Sequence, residues 1–236
     1  MKITDKEPHT LSHIEVDITF HNLEQKIKIV GNNPQILKTA KKTLTIARGL
    51  WQPKAVYQWF EYKNIDQDNL GRVIQNSGSH VDLDFGHSFQ FLSHAVYAII
   101  SVYTAGPKLE RASKNASSKG ELLEAYFFDL IGLIVLDQAG QKIKEIAQKQ
   151  ARNLGWGVSP FLSPGSVHGW ELEKQVKLCS LLPLEKINVK IRKNAVLSPF
   201  KTISCLIGLG PGYDAVQVGT TCQVCSKNHE CQMKQN

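Results

Sequence analysis

Apolar residues alternate with polar ones at Ile14, Val16, Ile18 and Phe20, and a similar period returns over residues 26–30. A period of two lays one face of an extended chain on a core, so this stretch predicts two strands joined through residues 21–25. Gly31, Asn32, Asn33 and Pro34 then turn the chain. Asn33 is suited to cap a helix and Pro34 to open it, because proline brings no N–H to the unpaired first turn. The helix is predicted to run to about Arg48 and to stop at Gly49. Trp51, Tyr57, Trp59, Phe60 and Tyr62 crowd the next stretch and read as core. Residues 64–84 are polar and rich in Gly, Asn and Ser, the composition of a linker or long loop.

Past Gly86 the period lengthens. Phe91, Ala95, Ala98, Ile99 and Val102 recur at helical spacing, which predicts a helix over 87–103 that ends before Gly106 and Pro107. A short charged helix follows, then a break at residues 117–120. Residues 121–154 form the longest predicted helix. Its first half is apolar nearly all round and belongs in the middle of the fold; residues 141–153 are basic and amphipathic. The last third reads as short strands at 158–161, 187–191, 195–197 and 203–207, with a helix over 170–182 that turns Leu172, Val176 and Leu178 inward. Gly208, Gly210, Pro211 and Gly212 read as a bend. Helices mixed with short strands, without regular βαβ alternation, predict an α+β fold on an antiparallel sheet.

At 236 residues the chain has room for a substantial core. The longest apolar run, 125–136, is interrupted by Asp129 and Gly132, too short and too polar to span a bilayer. No apolar stretch follows the first residues, so a cytoplasmic protein is expected. The net charge of +7 raises the question of nucleic acid. Lys and Arg are dispersed over several helices and strands with no Arg cluster or aromatic stacking motif, which argues against it. An acidic protein partner suits such a field better.

Cysteine usage points to a metal. Of five cysteines, Cys222, Cys225 and Cys231 fall within ten positions, spaced C-x2-C-x5-C. Two thiolates separated by two residues can share one ion or cluster across a tight turn. Zinc and an iron–sulfur cluster both fit the spacing, with Cys179, Cys205 or His229 as candidates for a fourth ligand. A disulfide is disfavoured in a reducing cytosol.

Four blocks then occur in a familiar order: Val102-Tyr103-Thr104-Ala105-Gly106, Phe128-Asp129-Leu130-Ile131-Gly132, Ser163-Pro164-Gly165, and Ser198-Pro199-Phe200-Lys201-Thr202-Ile203-Ser204. Together they resemble the activation domain of cobalamin-dependent methionine synthase in a short, stand-alone form. Such relatives often end in a cysteine cluster. The resemblance implies a curved antiparallel sheet flanked by helices, S-adenosylmethionine as methyl donor, a flavodoxin-type electron donor, and a cobalamin-bearing partner whose oxidised cobalt is restored. It divides the chain into an N-terminal extension (1–80), an activation-like domain (86–220) and a cysteine-rich metal-binding tail (221–236).

The departures are specific. The family's adenosylmethionine motif, R-x-x-x-G-Y, finds Phe161 at its arginine and Ser166 at its tyrosine, keeping Gly165. A planar guanidinium suits a methionine carboxylate, and a phenyl ring does not replace it. Weak or absent adenosylmethionine binding is therefore expected. The acidic contact to the sulfonium falls at Asp137. Neither a D-x-H-x-x-G cobalt-ligand motif nor a homocysteine barrel is present, so a corrinoid would be served in trans. Ser163, Gly165, Ser166, His168 and Trp170 lie where the family's ligand loop is expected, with His168 and Trp170 suited to a cobalamin contact. His80, His87 and His94 read as structural, and Gly208-x-Gly210-Pro211-Gly212 lacks the lysine of a P-loop. The alternative is a non-enzymatic corrinoid-binding or zinc-stabilised scaffold.

Overall fold

The computed structural model describes residues 2–27, 33–65, 69–75, 77–167, 169–219 and 224. In chain order the elements are β1 (His9–Leu11), α1 (Phe20–Lys26), α2 (Pro34–Ala47), β2 (Lys54–Ile65), β3 (Leu70–Ile74), β4 (His80–Asp84) and β5 (Tyr97–Thr104). They continue with α3 (Pro107–Ser118), α4 (Leu122–Leu154), β6 (Gly157–Val158), α5 (Gln175–Cys179), β7 (Lys190–Ile191), β8 (Leu197–Ser198) and β9 (Thr202–Gly210). One antiparallel sheet runs β4-β3-β2-β5-β9-β6, with β1 added to β2; β7 and β8 pair separately. The fold is α+β, a curved antiparallel sheet flanked by helices.

Side chains alternate across this sheet and divide the core in two. Tyr97, Ile99 and Tyr103 of β5, with Cys205 and Ile207 of β9, face α1, α2, α3 and α4. Ala98, Ile100 and Val102, with Leu206, face the opposite layer of loops, short turns and α5. Because β5 is buried on both sides along its whole length, its sequence is apolar at every position but Ser101 and Thr104. That explains the main correction. The apolar spacing over 87–103 belongs to a 3₁₀ segment, Gly86–Leu92, and then to β5; a doubly covered strand and a buried helix carry the same apolar run.

Further differences have local causes. Residues 14–18 form no regular strand, and Phe20 opens α1. A reciprocal cap starts it: the Thr19 amide donates to Asn22 Oδ1 at 2.9 Å and the Asn22 amide donates to Thr19 Oγ1 at 3.3 Å. The rest of the second predicted strand, residues 28–30, lies outside the described residues. Leu70–Ile74 and His80–Asp84 are no loop but the paired strands β3 and β4, pinned by a bidentate pair from Arg72 to Asp82 at 2.7 and 3.0 Å. β2, β3 and β4 share the sheet with β5 and β9. Gly208 and Gly210 belong to β9 rather than to a bend; a Cβ on Gly210 would run into the His94 carbonyl. The helix expected over 170–182 is regular only in α5, with Leu178 buried while Leu172 and Val176 are exposed.

The patterns of α2 and α4 hold. Asn33 accepts from the Gln35 amide at 3.0 Å and Pro34 opens α2. α4 buries Phe127, Phe128, Ile131, Ile134, Val135 and Leu136 in its first half and ends where Gly155 turns left-handed at φ 69°.

Candidate functional site

The loop that leaves β6 closes on itself. Leu162 bridges to Leu206 through two backbone hydrogen bonds of 3.1 and 2.9 Å. The Ser163 hydroxyl donates to the Ser204 carbonyl at 2.9 Å, and the amides of Ser166 and Val167 donate to the Ser163 carbonyl. Gly165 sits at φ 79°, a left-handed turn, and its amide donates to the Trp170 carbonyl at 2.7 Å. Ser163 is thus buried and engaged, Gly165 sets the turn, and Ser166 is half-exposed. His168 lies outside the described residues.

Trp170 is 2 % exposed and points away from solvent. Its ring meets Phe85 edge-on at 5.1 Å, and Phe85 meets Tyr62 at 6.1 Å. This aromatic file belongs to the β-sheet face opposite α4.

Asp137 is elsewhere. It projects from α4, on the helical side of the sheet, where Lys26 of α1 places its Nζ 3.7 Å from the carboxylate. Both side chains are about half-exposed. Desolvation by the packed helices raises the Asp137 carboxyl above the usual range, against the lowering pull of Lys26 and Lys144. Next to it Gln138 clamps the N-terminal segment: its side chain accepts from the Asp17 amide at 2.9 Å and donates to the Asp17 carbonyl at 2.7 Å. The structure therefore gathers Ser163, Gly165, Ser166 and Trp170 in one loop and sets Asp137 on the other side of the sheet.

Phe161 connects the two. It is buried in the helical core, with the Lys144 ammonium 5.5 Å above its ring. Of the two positions that the sequence resemblance assigns to adenosylmethionine, Phe161 is a buried phenyl ring and Asp137 already has a lysine partner.

Cys222, Cys225 and Cys231 lie outside the described residues, as does His229. The other candidate ligands are poor ones. Cys179 and Cys205 are buried on opposite faces of the sheet; burial pushes the Cys179 thiol up to about 12 and the Cys205 thiol up as well. A protonated thiol is a weak metal ligand. Among the described residues no group of three or more His, Cys, Asp or Glu side chains converges. Nor is any described helix long and apolar enough to cross a membrane.

Sequence reasoning missed Lys26, Lys144 and the charged pairs of the β3–β4 hairpin. The hairpin did carry a signal: Val73, Val81 and Leu83 alternate with charged residues about the turn at Ser77 and Gly78. Lys26 carried none, since its partner is 111 residues away along the chain (137 − 26).

The fold defines a class. It is similar to a solved structure of the MetH reactivation domain bound to AdoHcy, with a TM-score of 0.62 and 11% identity, over 90% of this chain and 82% of that one. The chain has the fold of a methionine synthase reactivation domain. No protein-family model matches the chain, and no curated protein matches it.

Proposed function

We propose that the protein is an accessory of cobalamin-dependent methyl transfer that docks in trans on a corrinoid protein and assists return of its cobalt to the active state. The observation that carries this reading is the extent of the fold likeness: 90% of the chain lies on a reactivation-domain fold. The departures at Phe161 and Asp137 shift the reading away from adenosylmethionine as this chain's own ligand. The protein then contributes docking, and the cysteine tail contributes electrons if it carries an iron–sulfur cluster. A surface of net charge +7 favours an acidic partner.

The test mixes the protein with a corrinoid protein poised as cob(II)alamin, in the presence of a chemical reductant. Saturable binding and faster loss of the cob(II)alamin absorbance support the proposal; no binding at any cobalt oxidation state sinks it. Calorimetric titration with S-adenosylmethionine is expected to show no dissociation constant in the low micromolar range, about 8 kcal/mol of binding free energy. Metal analysis of anaerobically prepared protein is expected to find one centre that is lost in Cys225→Ser. A brown protein indicates an iron–sulfur cluster, a colourless metal-bearing one zinc. Equal, negligible metal in both proteins removes the electron-source role and leaves docking.

A further inference from the structure

Between Glu24 and Glu61 the sequence holds seven Lys or Arg and no Asp or Glu, the longest stretch of the chain without a carboxylate side chain. α2 lies in the middle of it. The helix turns Ala40, Thr43, Leu44 and Ala47 into the core. It leaves Lys38, Lys41, Lys42 and Ile46 exposed, with Arg48 exposed at its C-cap. Spacings of three and four residues put these side chains on one face. Ile46, 49 % exposed, is the large apolar group among them.

This face has no counter-charge among the described residues. α3 matches Lys114 with Glu110, and α4 matches Lys142 with Glu145. On α2 the lysines have only one another at such spacings, an arrangement that repels. None of its four cations has an ion pair among the described residues; Lys41 rests over the Phe20 ring at 4.8 Å. α2 packs on α1 and α4, whose carboxylates are engaged elsewhere. Asp129 meets Lys201, Asp137 meets Lys26, and Glu24 lies 4.0 Å from His21. Glu121 and Glu124 stand at the N-terminus of α4, where the helix dipole favours them.

Three kinds of anionic surface could answer such a face. On an anionic bilayer, four cations give an affinity of only about 1 mM, and Ile46 alone is too little apolar surface to insert. For nucleic acid, α2 has no aromatic side chain to stack on a base. An acidic protein offers carboxylates at fixed positions and an apolar contact together. We propose that the outer face of α2 is a docking surface for an acidic protein, whose carboxylates meet Lys38, Lys41, Lys42 and Arg48 and whose apolar contact covers Ile46. That this protein is the corrinoid partner rests on the function proposed above; its acidic chemistry does not.

The test measures binding of the full chain to poly-L-glutamate and, separately, to a corrinoid protein poised as cob(II)alamin. Lys38→Glu/Lys42→Glu is expected to weaken both about 100-fold. Lys186→Glu/Lys193→Glu changes net charge equally, at exposed lysines in the layer on the other side of the sheet, and is expected to leave both within about 2-fold. Ile46→Ser is expected to weaken the corrinoid protein about 10-fold and leave polyglutamate unaltered. Should the α2 reversal lower the melting temperature, Lys38→Gln/Lys42→Gln carries the same test, with an expected loss of about 10-fold. Equal weakening by the α2 and control variants overturns the proposal, as does no binding of either probe. Tighter binding to phosphatidylserine vesicles or duplex DNA than to polyglutamate, lost with Lys38→Glu/Lys42→Glu, overturns it in favour of lipid or nucleic acid. Polyglutamate held through α2, without binding of the corrinoid protein, supports this face and sinks the corrinoid reading.

Discussion

The two faces of the sheet are built on different principles. On one, a single long helix, α4, lies against β5 and β9 with α1, α2 and α3 around it, and its core is mainly aliphatic and aromatic, with Thr43 and Ser113 among the few buried polar side chains. On the other, α5, the loop over 161–170 and short turns cover the same strands, and the interior includes unpaired polar atoms, a cavity and ion pairs at its rim. A long helix satisfies its own backbone and lets every inward side chain be apolar. Irregular segments need side-chain partners such as Ser163, Ser204 and Gln175, and they leave gaps where those partners run out. The helical face is closed by packing, and the irregular face by side-chain hydrogen bonds.

Truncation within each core tests this contrast most strongly. Ile131 is fully buried on α4, and Ile131→Ala is expected to cost about 4 kcal/mol, from lost transfer energy and a new void. Leu178 is equally buried but already borders the cavity. Fewer contacts are lost there, so Leu178→Ala is expected to cost about 2 kcal/mol. Urea unfolding of both variants gives the order, and a reversed order breaks the comparison.

Next in size is overpacking. Gly140 lies in the middle of α4, where a Cβ would stand 2.6 Å from the Tyr103 hydroxyl and 2.9 Å from the ring carbon bearing it. Gly140→Ala is expected to destabilise by about 1–3 kcal/mol despite alanine's better helix propensity. Combining it with Tyr103→Phe removes the nearest atom and is expected to recover part of that loss, a coupling that distant sites would not show. Simple additivity of the two changes would mean that the helix stands further from β5 than the structure places it.

Buried hydroxyls sharpen the picture on the irregular face. Ser204 donates to Gln175 Oε1 at 2.7 Å, and Ser204→Ala leaves that oxygen unpaired at a cost of about 1–2 kcal/mol. Tyr62→Phe removes a hydroxyl with no partner among the described residues, and it is expected to be neutral or slightly stabilising. Matched melting curves decide; a loss from Tyr62→Phe as large as that from Ser204→Ala would mean a bound water or ligand satisfies the phenol.

The same contrast governed what could be read from the sequence. α2 and α4 announce themselves through period, cap and terminating glycine, because each helix sets its own hydrogen bonds locally. β5 did not, because both its faces are covered and its apolar run has no period to read. The β3–β4 hairpin hid behind a turn-rich composition, although Arg72 and Asp82 stand opposite one another in its register. For the site, Gly165 stood out through a local motif, and the structure uses it at a left-handed turn. The burial of Trp170 and the pairing of Asp137 with Lys26 depend on chain segments that meet only in the folded protein.

The smallest effect concerns Asp137, where the N-terminal segment meets the helical face. Desolvation raises its carboxyl, so the folded protein holds that proton more tightly than the unfolded chain does. Between the ordinary aspartate value, about 3.8, and the raised one, the folded state binds more protons, and stability falls as pH rises through that window. Asp137→Asn is expected to flatten this slope and to leave stability at neutral pH unchanged or slightly higher. Lys26→Gln is expected to steepen it, because the lysine is the nearest group opposing the rise. Both effects are small, since the pair is half-exposed and screened by solvent. Melting temperatures of the three proteins across about pH 4 to 7 measure the slopes. If Asp137→Asn instead loses stability at neutral pH, the ion pair with Lys26 outweighs desolvation. The N-terminal segment would then be held on α4 by charge as well as by the Gln138 clamp.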